Sequence, residues 1–196
     1  NEFYPGDVTI EVAYTLTDEN ELNIKYKATT TEDTLLNLTN HAYFNLDGIS
    51  GNTLDQKLQI NAEKFLELDD EKIPTGNFIP MENHAFDFRS SKNVVAGIDH
   101  CFVLKNNTEP AAILESVKNG VTMKVYTDQP AVQIYVGGKT SDEIQNKESV
   151  EYHTESGICF ETQVFPDAPN HEDFPNAILR KGETYQQNTT FQFIIS

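Results

Sequence analysis

The chain has few basic residues, few cysteines and no tryptophan. Fourteen Lys and Arg stand against 31 Asp and Glu among 196 residues, which gives a formal net charge of −17. A surface of this sign repels phosphate backbones and anionic lipid, so we expect neither nucleic acid nor a membrane as a partner. A neutral small molecule is compatible with this charge, although a high net charge also serves simply to keep a protein in solution.

The two cysteines, Cys101 and Cys159, are too few for a disulfide framework, and both lie in apolar runs. Buried free thiols in a reducing compartment are the expected state. The chain also lacks an apolar run approaching the roughly 18 residues of a membrane span, and no charged-then-apolar leader opens it. These features predict a cytoplasmic protein.

Helical periodicity is missing as well, and the apolar residues recur every second position. Residues 8–16 and 22–28 alternate around Asp18-Glu19-Asn20, which predicts a β-hairpin. Residues 111–117 and 121–127 predict a second hairpin around Asn119-Gly120. Further strands are predicted near residues 35–46, 57–68, 131–137, 157–165 and 183–195, and a turn at 74–76. The length suits one domain, so the prediction is an all-β domain, sandwich or barrel-like.

Three of these segments combine an apolar face with a polar one, because strand residues two apart point the same way. The polar faces are poor in Lys and rich in amide, imidazole and aromatic groups: Asn37, Thr39, His41, Tyr43 and Asn45; Gln133 and Tyr135; Cys159, Glu161, Gln163 and Phe165. Such faces are often merely solvated. The same mixture also suits a sugar, whose hydroxyls need planar donors and acceptors and whose ring packs on an aromatic face.

His41 and Glu161 are the natural acid–base candidates on these faces. Imidazole titrates near neutrality, and burial raises a carboxylate pKa towards it. A hydrogen-bonded structural His and an exposed or ion-paired Glu are the plainer interpretations. Asp99 and His100 precede an apolar run, which predicts a strand-entry loop that either contacts a ligand or caps a turn.

Five segments resemble, in order, signatures of the aldose 1-epimerase (galactose mutarotase) family. They are residues 37–46 (NLTNHAYFNL), 86–89 with 97–102 (FDFR and GIDHCF), 130–137 (PAVQIYVG), 157–170 (GICFETQVFPDAPN) and 179–185 (LRKGETY). This resemblance implies the large antiparallel β-sandwich of the galactose mutarotase type. It also implies interconversion of the α and β anomers of free aldoses such as galactose and glucose, with no metal or organic cofactor.

The resemblance assigns roles by position. His41 would be the general acid and Glu161 the general base, while Asp99, Gln133 and Tyr43 would hold sugar hydroxyls. Glu161 would remove the anomeric hydroxyl proton as His41 protonates the ring oxygen, and rotation about C1–C2 followed by reclosure would give the other anomer. On this scheme we expect the two groups to flank the sugar.

The resemblance covers about the C-terminal three fifths of the family's usual length. Residues 1–196 are therefore expected to form the C-terminal portion of a single mutarotase-like β-sandwich domain. The family's N-terminal part, which supplies an arginine and a second histidine to the sugar site, has no counterpart here. An incomplete sandwich exposes strand edges, so a separate N-terminal portion or a second copy of the chain is an expected partner.

Three alternatives stay open. An epimerase for phosphorylated sugars would need clustered cations, whereas the Lys and Arg residues here are scattered. A non-catalytic sugar-binding module, or a truncated inactive relative, would keep the pocket without turnover. A metal site through His41, Asp99 and His100 is conceivable, but no HxH, HExxH or CxxC spacing supports it.

Overall fold

A computed structural model describes residues 3–49, 51–105, 108–137 and 152–195. The described residues form fifteen β-strands and two one-turn 3₁₀ helices. The strands are β1 (Val8–Leu16), β2 (Glu21–Thr30), β3 (Thr34–Leu35), β4 (Tyr43–Phe44), β5 (Lys57–Ile60), β6 (Ala62–Leu68), β7 (Pro74–Pro80), β8 (Lys92–Asn93), β9 (Asp99–Leu104), β10 (Ala112–Glu115), β11 (Val121–Thr127), β12 (Ala131–Gly137), β13 (Gly157–Gln163), β14 (Ile178–Leu179) and β15 (Tyr185–Ile195). The helices are Thr53–Asp55 and Ala168–Asn170.

The strands form two large antiparallel sheets. A seven-stranded sheet has the order β1-β2-β15-β11-β10-β5-β8, and a six-stranded sheet has the order β4-β13-β12-β9-β6-β7. Strands β14 and β3 make a small third sheet. The predicted all-β antiparallel sandwich is therefore confirmed.

Both predicted hairpins are present. β1 pairs with β2 in unbroken register from Val8↔Thr30 to Leu16↔Leu22. β10 pairs with β11, and their connection includes Gly120 at φ 74°, a left-handed conformation that glycine adopts without strain.

The main core lies between the two large sheets. Its largest fully buried side chains from the six-stranded sheet are Phe65, Phe102 and Phe160, and the other sheet contributes Leu58 and Leu114 among others. Burying each such side chain stabilises the fold by about 1.5–3 kcal/mol. The residues between them along each strand point to the opposite side, and on the six-stranded sheet that side carries the polar groups.

The predicted strand at residues 35–46 is wrong for most of its length. Only β3 and the two-residue β4 are strands there, and residues 36–42 are irregular. Asparagine side chains make hydrogen bonds here in place of backbone pairing between strands. Asn37 Nδ2 donates to the Val164 carbonyl, and Asn40 Oδ1 accepts from the Ala42 amide. Short polar side chains compete with regular pairing in this way.

Other boundaries differ for local reasons. The predicted strand 57–68 is two strands, β5 and β6, because the chain passes from one sheet to the other at Asn61. The predicted turn at 74–76 is instead the start of β7, an edge strand, where a proline at the first position breaks no ladder bond. The predicted loop at Asp99-His100 is the beginning of β9.

Within the described ranges, no helix has the length and apolar character needed to cross a membrane. Cys101 and Cys159 are both buried free thiols, as predicted.

Candidate active site

The candidate site lies on the outer face of the six-stranded sheet, where three neighbouring strands present polar side chains in register. Gln133 on β12 stands opposite Glu161 on β13. Tyr135 stands opposite Asp99 on β9, on the other side of β12. Cross-strand partners point to the same face, so the alternation of these strands gathers the groups into one patch.

The irregular segment before β4 brings a second set of groups over this patch. Tyr43 pairs with Cys159 at the edge of the sheet, and His41 lies two residues before it. Together with the strand residues they line a cavity of about 480 Å³, a size typical of small-molecule sites. The lining residues are His41, Tyr43, Leu68, Lys72, Pro74, Asp99, Cys101, Gln133, Tyr135, Glu161, Gln163 and Pro166.

His41 and Glu161 are in direct contact within this cavity. His41 Nε2 lies 3.2 Å from Glu161 Oε1. The imidazole side chain is 51% exposed and the carboxylate only 12%, so the His faces the opening and the Glu lies on the floor. The two groups therefore lie side by side, and their flanking of a sugar stays a prediction.

The environment of Glu161 perturbs its protonation. Burial raises the pKa of the Glu161 carboxyl, the nearby His41 charge lowers it, and Asp99 raises it again. The net direction is upward, towards the range in which a carboxylate serves as a general base at neutral pH. Burial also raises the pKa of Tyr43, with smaller contributions from Cys159, Tyr135 and Glu161, so this phenol stays protonated as a hydrogen-bond donor.

A second polar pair lies beside the first. The Gln133 side-chain amide donates a hydrogen bond of 2.7 Å to Asp99 Oδ1. This bond fixes the orientation of the Gln133 amide, and the other Asp99 oxygen can accept a bond from a ligand hydroxyl.

Three rings form one wall of the cavity. The His41 ring centroid lies 5.2 Å from that of Tyr43 and 6.0 Å from that of Tyr135, and the two tyrosine centroids are 6.1 Å apart. Glycine makes room for one of them: a Cβ on Gly157 would lie 2.9 Å from the Tyr43 Cβ. The rings offer an apolar surface with hydroxyl edges.

The structure brings all five predicted site residues into this cavity: His41, Tyr43, Asp99, Gln133 and Glu161. His100 is not among the lining residues, and its ring packs against Phe65 and Phe86 instead. Burial lowers the His100 pKa, as does Lys72, against the opposing effect of Asp99. The conceivable metal set that included His100 therefore does not converge in the cavity.

Sequence reasoning missed some of the lining residues. Alternation placed Tyr135 and Gln163 on the polar strand faces with Gln133 and Glu161, but no role was assigned to either of them. Lys72 reaches the cavity from the turn between β6 and β7, which no local pattern indicates.

Comparison with known proteins gives a consistent result. The family model of aldose 1-epimerase matches residues 1–192. The chain belongs to the aldose 1-epimerase family. It is 40% identical to a galactose mutarotase from Mus musculus over 206 aligned residues, covering 100% of this chain and 60% of that protein. It is 35% identical to an aldose 1-epimerase from Escherichia coli K12, covering 97% of this chain and 60% of that protein.

Solved structures of the family share the fold. A GalM/aldose epimerase homologue from C. elegans aligns with a TM-score of 0.90 at 33% identity, over 98% of this chain and 62% of that one. A galactose 1-epimerase from Lactobacillus acidophilus aligns with a TM-score of 0.83 at 29% identity, over 97% of this chain and 58% of that one. The predicted galactose mutarotase type of sandwich is confirmed. The chain spans about 60% of the length of the curated relatives that it matches.

Proposed function

We propose that the protein is an aldose 1-epimerase that interconverts the α and β anomers of free aldoses such as galactose and glucose. The contact between His41 and Glu161 in a cavity of small-molecule size carries this proposal. The chain's relatives are named galactose mutarotase and aldose 1-epimerase, which supports the reaction class.

In the proposed reaction Glu161 is the general base and His41 the general acid. Glu161 removes the proton of the anomeric hydroxyl while the protonated His41 donates one to the ring oxygen, so the C1–O5 bond breaks and the aldehyde forms. After rotation about C1–C2 the two transfers run in reverse. Because both oxygens are bonded to C1, an acid and a base that lie side by side can reach them together. General acid–base catalysis of this kind contributes about 10²–10⁴-fold.

The charges of the cavity favour a neutral sugar over a phosphorylated one. Asp99 and Glu161 place two carboxylates in the lining, and Lys72 is the one Lys or Arg among the described lining residues. A phosphate group would normally be met by several cations. Asp99, Gln133 and Tyr43 are assigned to the sugar hydroxyls, with Gln133 held by its bond to Asp99.

A non-catalytic sugar-binding module is the second candidate. The observation that favours it is the span of the chain, about 60% of its curated relatives, since groups outside that span could be needed for turnover. The raised pKa of the mostly buried Glu161 argues for catalysis, because sugar binding alone does not require a carboxylate of raised pKa beside an imidazole.

The proposed domain is the C-terminal portion of one mutarotase-like sandwich, and β1 is where we place its partner. Ile10, Val12 and Tyr14 stand opposite the buried β2 residues Ala28, Tyr26 and Ile24, respectively, so they continue the inner face of the seven-stranded sheet. All three are nevertheless exposed. We assign this stripe, residues 10, 12 and 14, to a segment of the family's length outside residues 1–196.

A cytoplasmic location is proposed as well, supported by the two buried free thiols.

Polarimetry tests the proposed function. The protein is added to fresh α-D-galactose and, separately, to α-D-glucose, and the approach to equilibrium rotation is followed. Acceleration proportional to protein concentration is the expected result. Saturation-transfer NMR on the same preparation detects sugar binding, so binding without acceleration would replace the epimerase with the binding module, and neither signal would remove both.

A further inference from the structure

Cys159 is a thiol beside the proposed catalytic pair that the proton transfers do not use. Its Sγ lies 3.4 Å from His41 Nδ1, while the other nitrogen of the same ring is 3.2 Å from Glu161 Oε1. The thiol is buried, and burial raises its pKa, with a further contribution from Glu161. Buried cysteines usually pack against apolar groups, whereas this one faces an imidazole and a carboxylate.

Three different kinds of ligand atom converge here. One nitrogen of His41, the Cys159 sulfur and one carboxylate oxygen of Glu161 all lie within 4.8 Å of one another. Zinc bonds of about 2.0–2.3 Å place tetrahedral ligand atoms roughly 3.3–3.8 Å apart. The remaining gap is small, and rotation of the half-exposed His41 side chain can close it.

The backbone holds two of the ligands firmly. Cys159 and Glu161 are two residues apart on β13 and share one face, and the pairing of Tyr43 with Cys159 holds the segment that carries His41 alongside. Three protein ligands leave a fourth tetrahedral position, and two of the three, His41 and Glu161, line the cavity.

We propose that His41, Cys159 and Glu161 form a Zn²⁺ site that competes with sugar for the cavity. On binding, Zn²⁺ forms bonds to the imidazole nitrogen, the sulfur and the carboxylate oxygen, and the thiol proton leaves to solvent as the thiolate forms. The bound ion occupies both members of the acid–base pair, so zinc acts as an inhibitor. The metal site stands on geometry alone, and only the inhibition depends on the proposed function.

The ligand set also defines which ions fit. Thiolate and imidazole favour Zn²⁺ and similar transition metals, whereas Mg²⁺ and Ca²⁺ prefer oxygen. Mg²⁺ is therefore the control cation, and Co²⁺ is the spectroscopic probe because its bond to thiolate produces a charge-transfer absorption band.

Equilibrium dialysis against ZnCl₂, without sugar, tests the site. The wild type is expected to bind one Zn²⁺ and no Mg²⁺, and Cys159→Ala to lose roughly tenfold or more in zinc affinity, since even changes beyond the ligands cost about 10–100-fold. Cys101→Ala is the matched control, since Cys101 is equally buried and lies on the same face but outside the three-ligand cluster. It should retain zinc affinity and the Co²⁺–thiolate band, which Cys159→Ala should lack.

Several outcomes would overturn the proposal: no zinc bound by the wild type, equal affinity in Cys159→Ala, or loss in Cys101→Ala alone. Far-UV circular dichroism reports whether Cys159→Ala is folded. If it is not, His41→Ala, at a half-exposed position, takes its place and should weaken zinc binding similarly. The dialysis contains no sugar, so an absent mutarotase activity would leave the metal site standing. Failure of α-D-galactose to displace bound zinc would refute the competition.

Discussion

The environment of Glu161 bears most directly on the proposed acid–base chemistry of the site. Its carboxyl is mostly buried on the cavity floor, beside the His41 imidazole and within electrostatic range of Asp99. A base must be ionised to accept a proton, so the proposed activity falls as the pH drops through the Glu161 pKa. Because burial raises that pKa, the loss begins at higher pH than for an ordinary glutamate.

The shift of Glu161 is directly measurable. Carboxyl ¹³C NMR of the glutamate-labelled protein, with the signal assigned through Glu161→Gln, should show titration above the ordinary value of 4.5. In His41→Asn the titration should move higher still, because the positive charge that lowers the pKa is gone. A pKa at or below the ordinary value, or a downward movement in His41→Asn, would contradict this assignment.

At this scale the sequence was informative where strands were regular. Gln133 and Glu161 lie on predicted polar faces and meet in the cavity because alternation is a strict geometric rule. His41 is in the cavity although the strand predicted around it is largely absent; its position depends on asparagine contacts that link distant segments. Lys72 reaches the cavity, and His41, Cys159 and Glu161 come together, only through tertiary folding, which no local sequence pattern indicates.

At the scale of elements, a buried polar network joins β13 to β15. The Gln187 side-chain amide donates to the Thr162 carbonyl at 2.8 Å, and the Tyr185 hydroxyl donates to Gln187 Oε1 at 2.5 Å. Thr162 and Thr189 also share a hydrogen bond of 2.6 Å. The network connects the strand that carries Glu161 to the opposite sheet, in the interior of the sandwich.

Removing the centre of this network should destabilise the protein. Gln187→Leu leaves the Tyr185 hydroxyl and the Thr162 carbonyl without this partner, which costs about 1–3 kcal/mol in the free energy of unfolding. Urea denaturation measures the change. Gln186→Leu is the matched control on the same strand, because Gln186 is exposed, and it should have little effect. Equal midpoints for the two variants would refute a stabilising role for the network.

The elements themselves were predictable in unequal measure. Hairpins such as β1–β2 carry both alternation and a turn signal, and they form as predicted. The strand predicted at 57–68 carries alternation but no turn signal at Asn61. Its division between the two sheets could therefore not be predicted from the sequence. The same limitation applies to β7, whose proline and glycine resemble a turn but lie on a sheet edge.

At the scale of the whole molecule, the inner face of the seven-stranded sheet continues past its buried part onto the edge strand β1. The stripe at residues 10, 12 and 14 continues the buried face of β2 into solvent. Apolar surface of this kind favours association, even in a chain with a net charge of −17. We therefore expect a complex that depends on β1.

Sedimentation of the purified protein with Val12→Lys tests this expectation. A charge in the stripe should weaken the complex, whereas Val117→Lys, at an exposed valine after β10, should not. A mass corresponding to a separate family polypeptide beside the 22.1 kDa chain would support the assigned occupant, and twice 22.1 kDa would replace it with a second copy. A lone 22.1 kDa species in the wild type would contradict association through β1.

The most direct test of the central claim is the rate of α-D-galactose mutarotation in Glu161→Gln. Glu155→Gln is the matched control. The Glu155 carboxylate also lies near a histidine, 3.6 Å from His153 Nδ1, but Glu155 does not line the cavity. Polarimetry should show a loss of about 10²–10⁴-fold for Glu161→Gln and an unchanged rate for Glu155→Gln. Undiminished turnover in Glu161→Gln would remove this carboxylate from the reaction and contradict the account.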